Sequence, residues 1–126
     1  MEPEFRVWDK TKGEMLFLKG IFNSRPYTER STFPQYESIP NFHEVEIMFF
    51  TGIKDEDRTK VYQGDILSPV NIDGSFVQAE VVFQNGAFLV RSLGRCKMTD
   101  YLGEKIGFSV IGNIWQNPEL IERGER

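Results

Sequence analysis

One cysteine, one histidine, no long apolar run and no surplus of positive charge: each shortage in this 126-residue chain removes a class of protein. A lone Cys96 allows no internal disulfide and predicts a reducing, intracellular setting. Zinc sites draw on several Cys or His ligands, and one of each, Cys96 and His43, does not make one. No apolar stretch approaches the roughly 18 residues of a membrane-spanning helix. The opening residues, MEPEF, are acidic and carry no apolar run, which predicts that there is no secretory leader. Net charge is −4, and it is not hiding a basic half. Residues 1–60 hold 9 Lys/Arg against 11 Asp/Glu, and residues 61–126 hold 6 against 8, so each half carries −2. Phosphate-binding surfaces show clustered Lys and Arg. The densest basic group here is only Arg91, Arg95 and Lys97, so no duplex nucleic acid is expected as a partner.

Catalytic and metal-binding motifs are as scarce. A histidine acting as base needs a nucleophile beside it and a group to orient it. His43 borders a Pro-, Ser- and Asn-rich stretch and is read as structural or exposed. Asp55-Glu56-Asp57 lacks the spacing of a calcium loop and its closing Glu, so it reads as a solvated turn. VYQGDI has a glycine before an acid but not the Lys-Ser/Thr of a phosphate loop. Gly64-Asp65 reads as turn geometry, with Asp65 accepting hydrogen bonds from nearby backbone amides. Trp8 and Trp115 could stack on bases or sugars; burial at a seam between the N-terminal hairpin and the C-terminal part is the preferred reading. No catalytic, metal or cofactor residue is expected.

What the chain does have is strand chemistry. Eleven Phe supply β-propensity and large burial. Phe5-Arg6-Val7-Trp8 alternates, Asp9 to Gly13 is turn-like, and Met15 to Phe22 is apolar again, which predicts a β-hairpin. Residues 23–43 hold three prolines and read as a long loop with at most a short helical turn. Glu44 to Phe50 is the next strand, with Val45, Ile47 and Phe49 on one face and Glu44, Glu46 and Met48 on the other; it ends at Thr51-Gly52. A strand then starts near Asp65 and closes at Pro69, and Asp73-Gly74 makes a turn.

The clearest local signal is Phe76 to Gln84 followed by Asn85-Gly86, the preferred pair for a type I′ turn. A two-residue loop sets Phe83 opposite Phe88 and Val81 opposite Val90 on a buried face. The reverse face then pairs Val82 with Leu89 and Glu80 with Arg91, and should be wet. Residues 92–105 read as a polar connection. Gly107 to Trp115 is the last strand, bent or bulged at Gly112 beside Asn113, and Asn117-Pro118-Glu119 starts a short helix that stops at Gly124. Short strands, tight turns and little helix predict a mainly β barrel or sandwich.

In order along the chain, FRVWD, TGIKD, VYQGDI, FQNGAF and VIGNIWQNPEL resemble the YopX family of phage and prophage proteins. The motif residues are Trp8, Asp9, Thr51, Gly52, Tyr62, Gly64, Asp65, Asn85, Gly86, Gly112 and Asn113. The resemblance covers most of the chain except about 20–43 and 92–106. It implies a mainly β fold: an SH3-like small β-barrel over 44–126 with a C-terminal helical turn, joined to an N-terminal hairpin and long loop over 1–43. It also implies a phage or prophage origin and a bacterial cytoplasm as setting, and it supplies no catalytic residue. Two departures stand out. DEDRT replaces an Asn-Gly type of turn, which should loosen it, and Phe49 stands where a polar Gln is common. The expected function is a non-enzymatic interaction module acting through protein contacts, with a host or phage protein as partner; the alternative is nucleic-acid binding by the small barrel. Met48-Phe49-Phe50 puts large apolar groups on both faces of one strand. A homo-oligomer with Phe49 or Phe50 near its interface is therefore expected.

Overall fold

The computed structural model describes residues 4–22, 25–28, 42–94 and 97–124. Among these are ten strands and one short helix, so the chain is mainly β, as expected. The chain divides into two compact units, Met1–Phe50 and Thr51–Arg126.

In the first unit, β1 (Phe5–Asp9) and β2 (Glu14–Phe22) form the expected hairpin, with Trp8 opposite Met15 and Asp9 opposite Glu14. The buried Asp9 holds its turn: Oδ1 accepts the N–H groups of Thr11 (3.0 Å) and Lys12 (3.1 Å), and its carbonyl accepts that of Gly13. β4 (Val45–Lys54) pairs with the other side of β1, setting Val7 against Ile47 and Phe5 against Phe49. Within the stretch read as one long loop, residues 25–28 form a further strand, β3 (Arg25–Thr28), on the free side of β2. Residues 23, 24 and 29–41 of that stretch lie outside the described residues, and a 3-10 turn at Phe42–Glu44 leads into β4. Val7, Leu16 and Val45 are buried on one face of this sheet and Met48 on the other.

β4 does not end at Thr51-Gly52. It runs on to Lys54, with Gly52 at φ +85°, a conformation that suits a residue without Cβ. A side-chain bond supports that continuation: Thr51 Oγ1 donates to the Val61 carbonyl (2.8 Å) on β5 (Lys60–Tyr62) and accepts the Ile53 N–H (3.2 Å).

The second unit is built on a curled half-barrel sheet in the order β10-β6-β7-β8-β9. These are β6 (Asp65–Ile72), β7 (Ser75–Gln84), β8 (Ala87–Ser92), β9 (Thr99–Tyr101) and β10 (Ser109–Asn113). The two hairpin turns are as the sequence predicts. Asp73-Gly74 and Asn85-Gly86 all have positive φ, as a type I′ turn requires. The β7–β8 register sets Glu80 opposite Arg91, Val81 opposite Val90 and Phe83 opposite Phe88, whose rings meet edge-on at 4.9 Å.

Five expectations change. The register is as expected, but Phe83 is 42% exposed rather than buried beside Val81 and Val90. Pro69 does not close β6. It follows a cis bond inside the strand, where the register shifts between Leu67 and Val70 and no ladder bond is asked of it. The reverse face of β7–β8 is only partly wet, since Val82 is buried. Residues 92–105 are more than a polar connection: they hold β9 and a 3-10 turn, Leu102–Glu104, whose Leu102 is fully buried. The last strand is shorter than expected, Ser109–Asn113, although its bulge falls between Val110 and Gly112 as predicted.

Leu102 joins Val61, Leu67, Val70, Ile72, Ala79, Val81, Val90 and Phe108 in one core cluster. The helix α1 (Pro118–Gly124) follows β10.

Candidate interaction groove

Most motif residues are committed to holding turns. Asp65 is buried and its Oδ2 accepts the Tyr62 N–H at 2.8 Å, as expected for the Gly64-Asp65 turn. Gly64 donates to the Val81 carbonyl and accepts from Ile114, which fixes the turn between two strands. Buried Asn113 accepts the N–H groups of Trp115 (3.1 Å) and Gln116 (2.8 Å) on Oδ1 and donates Nδ2 to Gln116 Oε1 (2.7 Å). Asn117 does not cap α1 with its side chain; Oδ1 turns back to accept the Asn113 N–H (3.2 Å). That closeness requires Gly112, where a Cβ would meet Asn117 Oδ1 at 2.5 Å.

Against what its sequence suggests, the acidic turn is not solvated throughout, because its first carboxylate is buried. Asp55 is 8% exposed, and Oδ1 accepts the N–H groups of Asp57 (2.9 Å) and Thr59 (2.8 Å) while Oδ2 accepts that of Val110 (2.9 Å) on β10. Glu56 and Asp57 are exposed, and each has a carboxylate oxygen within hydrogen-bond distance of Ser109 Oγ (3.2 and 3.0 Å), whose one proton serves either of them. The departure from Asn-Gly therefore does not loosen this turn. Its one cost is Arg58 at φ +68°, where an Asn or Gly fits better. A buried acceptor can be found in sequence only if the amides around it are known to face inward.

His43 is exposed, 3.8 Å from Glu44 Oε1. Trp8 and Trp115 are both half-buried. Phe49 is 40% exposed and meets Phe5 edge-on at 5.5 Å, and Phe50 is half-buried with its N–H on the Glu4 carbonyl.

A groove of about 480 Å³ lies in the second unit, lined by Asn71, Asp73, Phe76, Glu104, Lys105 and Ile106. One wall is the β6–β7 hairpin tip, where Asn71 pairs with Phe76 and Asn71 Oδ1 accepts the Gly74 N–H. The other wall follows the Leu102–Glu104 turn, pinned by the fully buried Leu102. Lys105 joins them: Nζ donates to the Asn71 carbonyl (2.5 Å) and to Asp100 Oδ2 (2.6 Å). Its hydrogen bond holds the Asp100 carboxyl below the ordinary aspartate range, and the Tyr101 amide acts in the same direction. Phe76 and Ile106, by contrast, are 71% and 91% exposed. The groove can hold an apolar side chain against two apolar groups beside two carboxylates. Sequence reading missed it; the available signals were Phe76 directly after a turn and Ile106 alone in a polar run.

The model of the YopX protein family matches residues 4–122 of the chain. No curated protein matches it. The crystal structure of protein EF1440 from Enterococcus faecalis is similar over 96% of this chain and 99% of that one, at 26% identity and a TM-score of 0.64. The crystal structure of yopX from Bacillus subtilis is similar over 93% and 96%, with a TM-score of 0.54; at 20% identity this likeness is one of fold. Motifs that fix turns, a mainly β fold shared with both structures, and a family match running from residue 4 to residue 122 lead to one conclusion: the chain belongs to the YopX family.

Proposed function

We propose that this chain is a non-enzymatic interaction module, encoded by a phage or prophage and acting in the bacterial cytoplasm through protein contacts. The observation that carries the reading is large apolar side chains exposed on well-anchored elements: Phe76 and Ile106 across the groove, Phe17 and Phe49 on the N-terminal sheet. Isolated exposed apolar residues are ordinary, but a pair lining one groove is a contact surface. Affinity capture from host cells, with mass spectrometry of retained proteins, tests it. A partner retained by the wild-type chain and lost on heat denaturation is the expected result; retention of nucleic acid instead of protein favours the alternative. The even −2/−2 charge split weighs against that alternative.

The module also self-associates through its N-terminal unit. Phe17 and Phe49 lie on opposite faces of that sheet and are 53% and 40% exposed. Light scattering coupled to size exclusion should show a mass above the 14.7 kDa of one chain. A stable 14.7 kDa species at working concentration overturns this part of the reading.

A further inference from the structure

We infer that the groove between the β6–β7 hairpin tip and the Leu102–Glu104 turn docks a partner segment in which a Lys or Arg side chain neighbours an apolar one. This rests on the interaction-module reading and names its site and the chemistry of its partner.

Three features select that occupant. The first is apolar: Phe76 and Ile106 line the groove and are mostly exposed. The second is charge. Asp73 and Glu104 line the same groove, are exposed, and have no ion-pair or hydrogen-bond partner for their carboxylates among the described residues. Among the described residues the groove's one lining cation, Lys105, is committed to Asp100 and the Asn71 carbonyl, so it does not neutralise them. An occupant that brings its own cation gains attraction from both carboxylates, and the net charge of −4 steers such a segment inward. A second copy of this groove is a poor occupant, because its carboxylates would face these. The third is rigidity. Asp73 sits in a fixed two-residue turn, and the Lys105 bonds tie the two walls together, so little ordering cost falls on the site when it fills.

The probe is a labelled peptide repeating Arg-Leu-Lys-Phe, with Glu-Leu-Asp-Phe as its charge-inverted control, followed by fluorescence anisotropy and amide chemical shifts. The basic peptide should bind, and shifts should concentrate at Asn71, Phe76 and residues 104–106. Asp73→Asn with Glu104→Gln should weaken it roughly three- to tenfold, since Asn tolerates the positive φ at that turn. Phe76→Ser with Ile106→Ser should weaken it more than about tenfold; both sites are exposed, so the fold survives. Equal binding of the acidic control, absence of binding, or shifts elsewhere overturns the proposal. Capture from host cells separates it from the parent reading. If wild-type and Phe76→Ser/Ile106→Ser chains retain the same partner, the groove assignment falls and the module reading stands. If the wild-type chain retains no protein while the basic peptide binds at the groove, the module reading falls and the groove's chemistry stands.

Discussion

The two units hold the same kind of strand in different ways. In Thr51–Arg126, alternation sends Val77, Ala79 and Val81 of β7 and Val90 of β8 toward one interior, which Leu102 and Phe108 complete from outside those strands. In Met1–Phe50, apolar groups stand on both faces of the sheet: Val7, Leu16 and Val45 are buried on one and Met48 on the other, while Phe49 and Phe17 remain exposed. The second unit also buries Ile66 and Val82 on the reverse face of its sheet, but most of its buried groups gather in one cluster, whereas the first unit leaves a large Phe exposed on each face. The difference accounts for where a self-association surface is sought and where a preformed groove is found.

The largest expected effect tests that contrast directly. Leu102→Ala removes a fully buried side chain from the continuous core and should cost about 2–5 kcal/mol. Leu16→Ala, at 6% exposure in the smaller buried group, should fall near the bottom of the same range, about 2 kcal/mol. Urea unfolding of the two variants checks the order. A Leu16→Ala cost equal to or above that of Leu102→Ala breaks the comparison.

A buried aspartate holds a turn in each unit, and these two should differ for the same reason. Asp55 accepts two amides of its own turn and reaches β10 through the Val110 N–H. Among the described residues Asp9 accepts only local amides, from Thr11 and Lys12. Asp55→Ala should therefore cost about 1–3 kcal/mol and Asp9→Ala about 1 kcal/mol, because unmade bonds to buried donors are what hurts. Hydrogen exchange sharpens the reading: Val110 should lose protection in the first variant only. Substituting the exposed Glu56 should stay within about 0.5 kcal/mol of wild type.

A smaller effect has the opposite sign. Arg58 occupies a positive-φ position that Asn and Gly fill more readily, as Asn85 and Gly86 do in the β7–β8 turn. Arg58→Asn should stabilise by about 0.5–1 kcal/mol, read as a higher urea midpoint at unchanged slope. A loss of stability would show that the Arg58 side chain contributes more than its exposure suggests.

Local chemistry made much of this legible. Asn85-Gly86 and Asp73-Gly74 dictate two-residue turns whatever surrounds them, so register followed, down to Glu80 opposite Arg91. Asp65 and Gly112 were legible for the same reason, since their constraints lie within a few residues. What was not legible depends on partners distant in sequence. Asp55 looks like any solvated acid until Val110, far along the chain, presents its N–H. Leu102 looks like one apolar residue in a polar run until the curled sheet supplies its neighbours. The groove fails on both counts, because it joins residues 71–76 to 104–106 through a lysine whose bonds no spacing rule predicts.

The smallest effect expected is acid sensitivity confined to the groove side of the second unit. Lys105 donates to Asp100 at 2.6 Å, and that bond, with the Tyr101 amide beside it, holds the Asp100 carboxyl below its ordinary value near 3.8. The sign follows from linkage. A carboxyl whose value is lower in the folded chain binds its proton more readily when unfolded. Its contribution is therefore complete above the unfolded value and is lost as pH falls through the folded one. Asp100 is about a third exposed, so the contribution is modest and shrinks with added salt. Wild type and Asp100→Asn should differ in urea midpoint by a constant amount at neutral pH, and the gap should close as the solution becomes acidic. Amide protection over Thr99–Glu104 should fall in the same acid window, because Lys105 then keeps only its bond to the Asn71 carbonyl. A gap that widens toward low pH, or one that high salt leaves unchanged, would show that this pair does not stabilise the Thr99–Glu104 side of the groove.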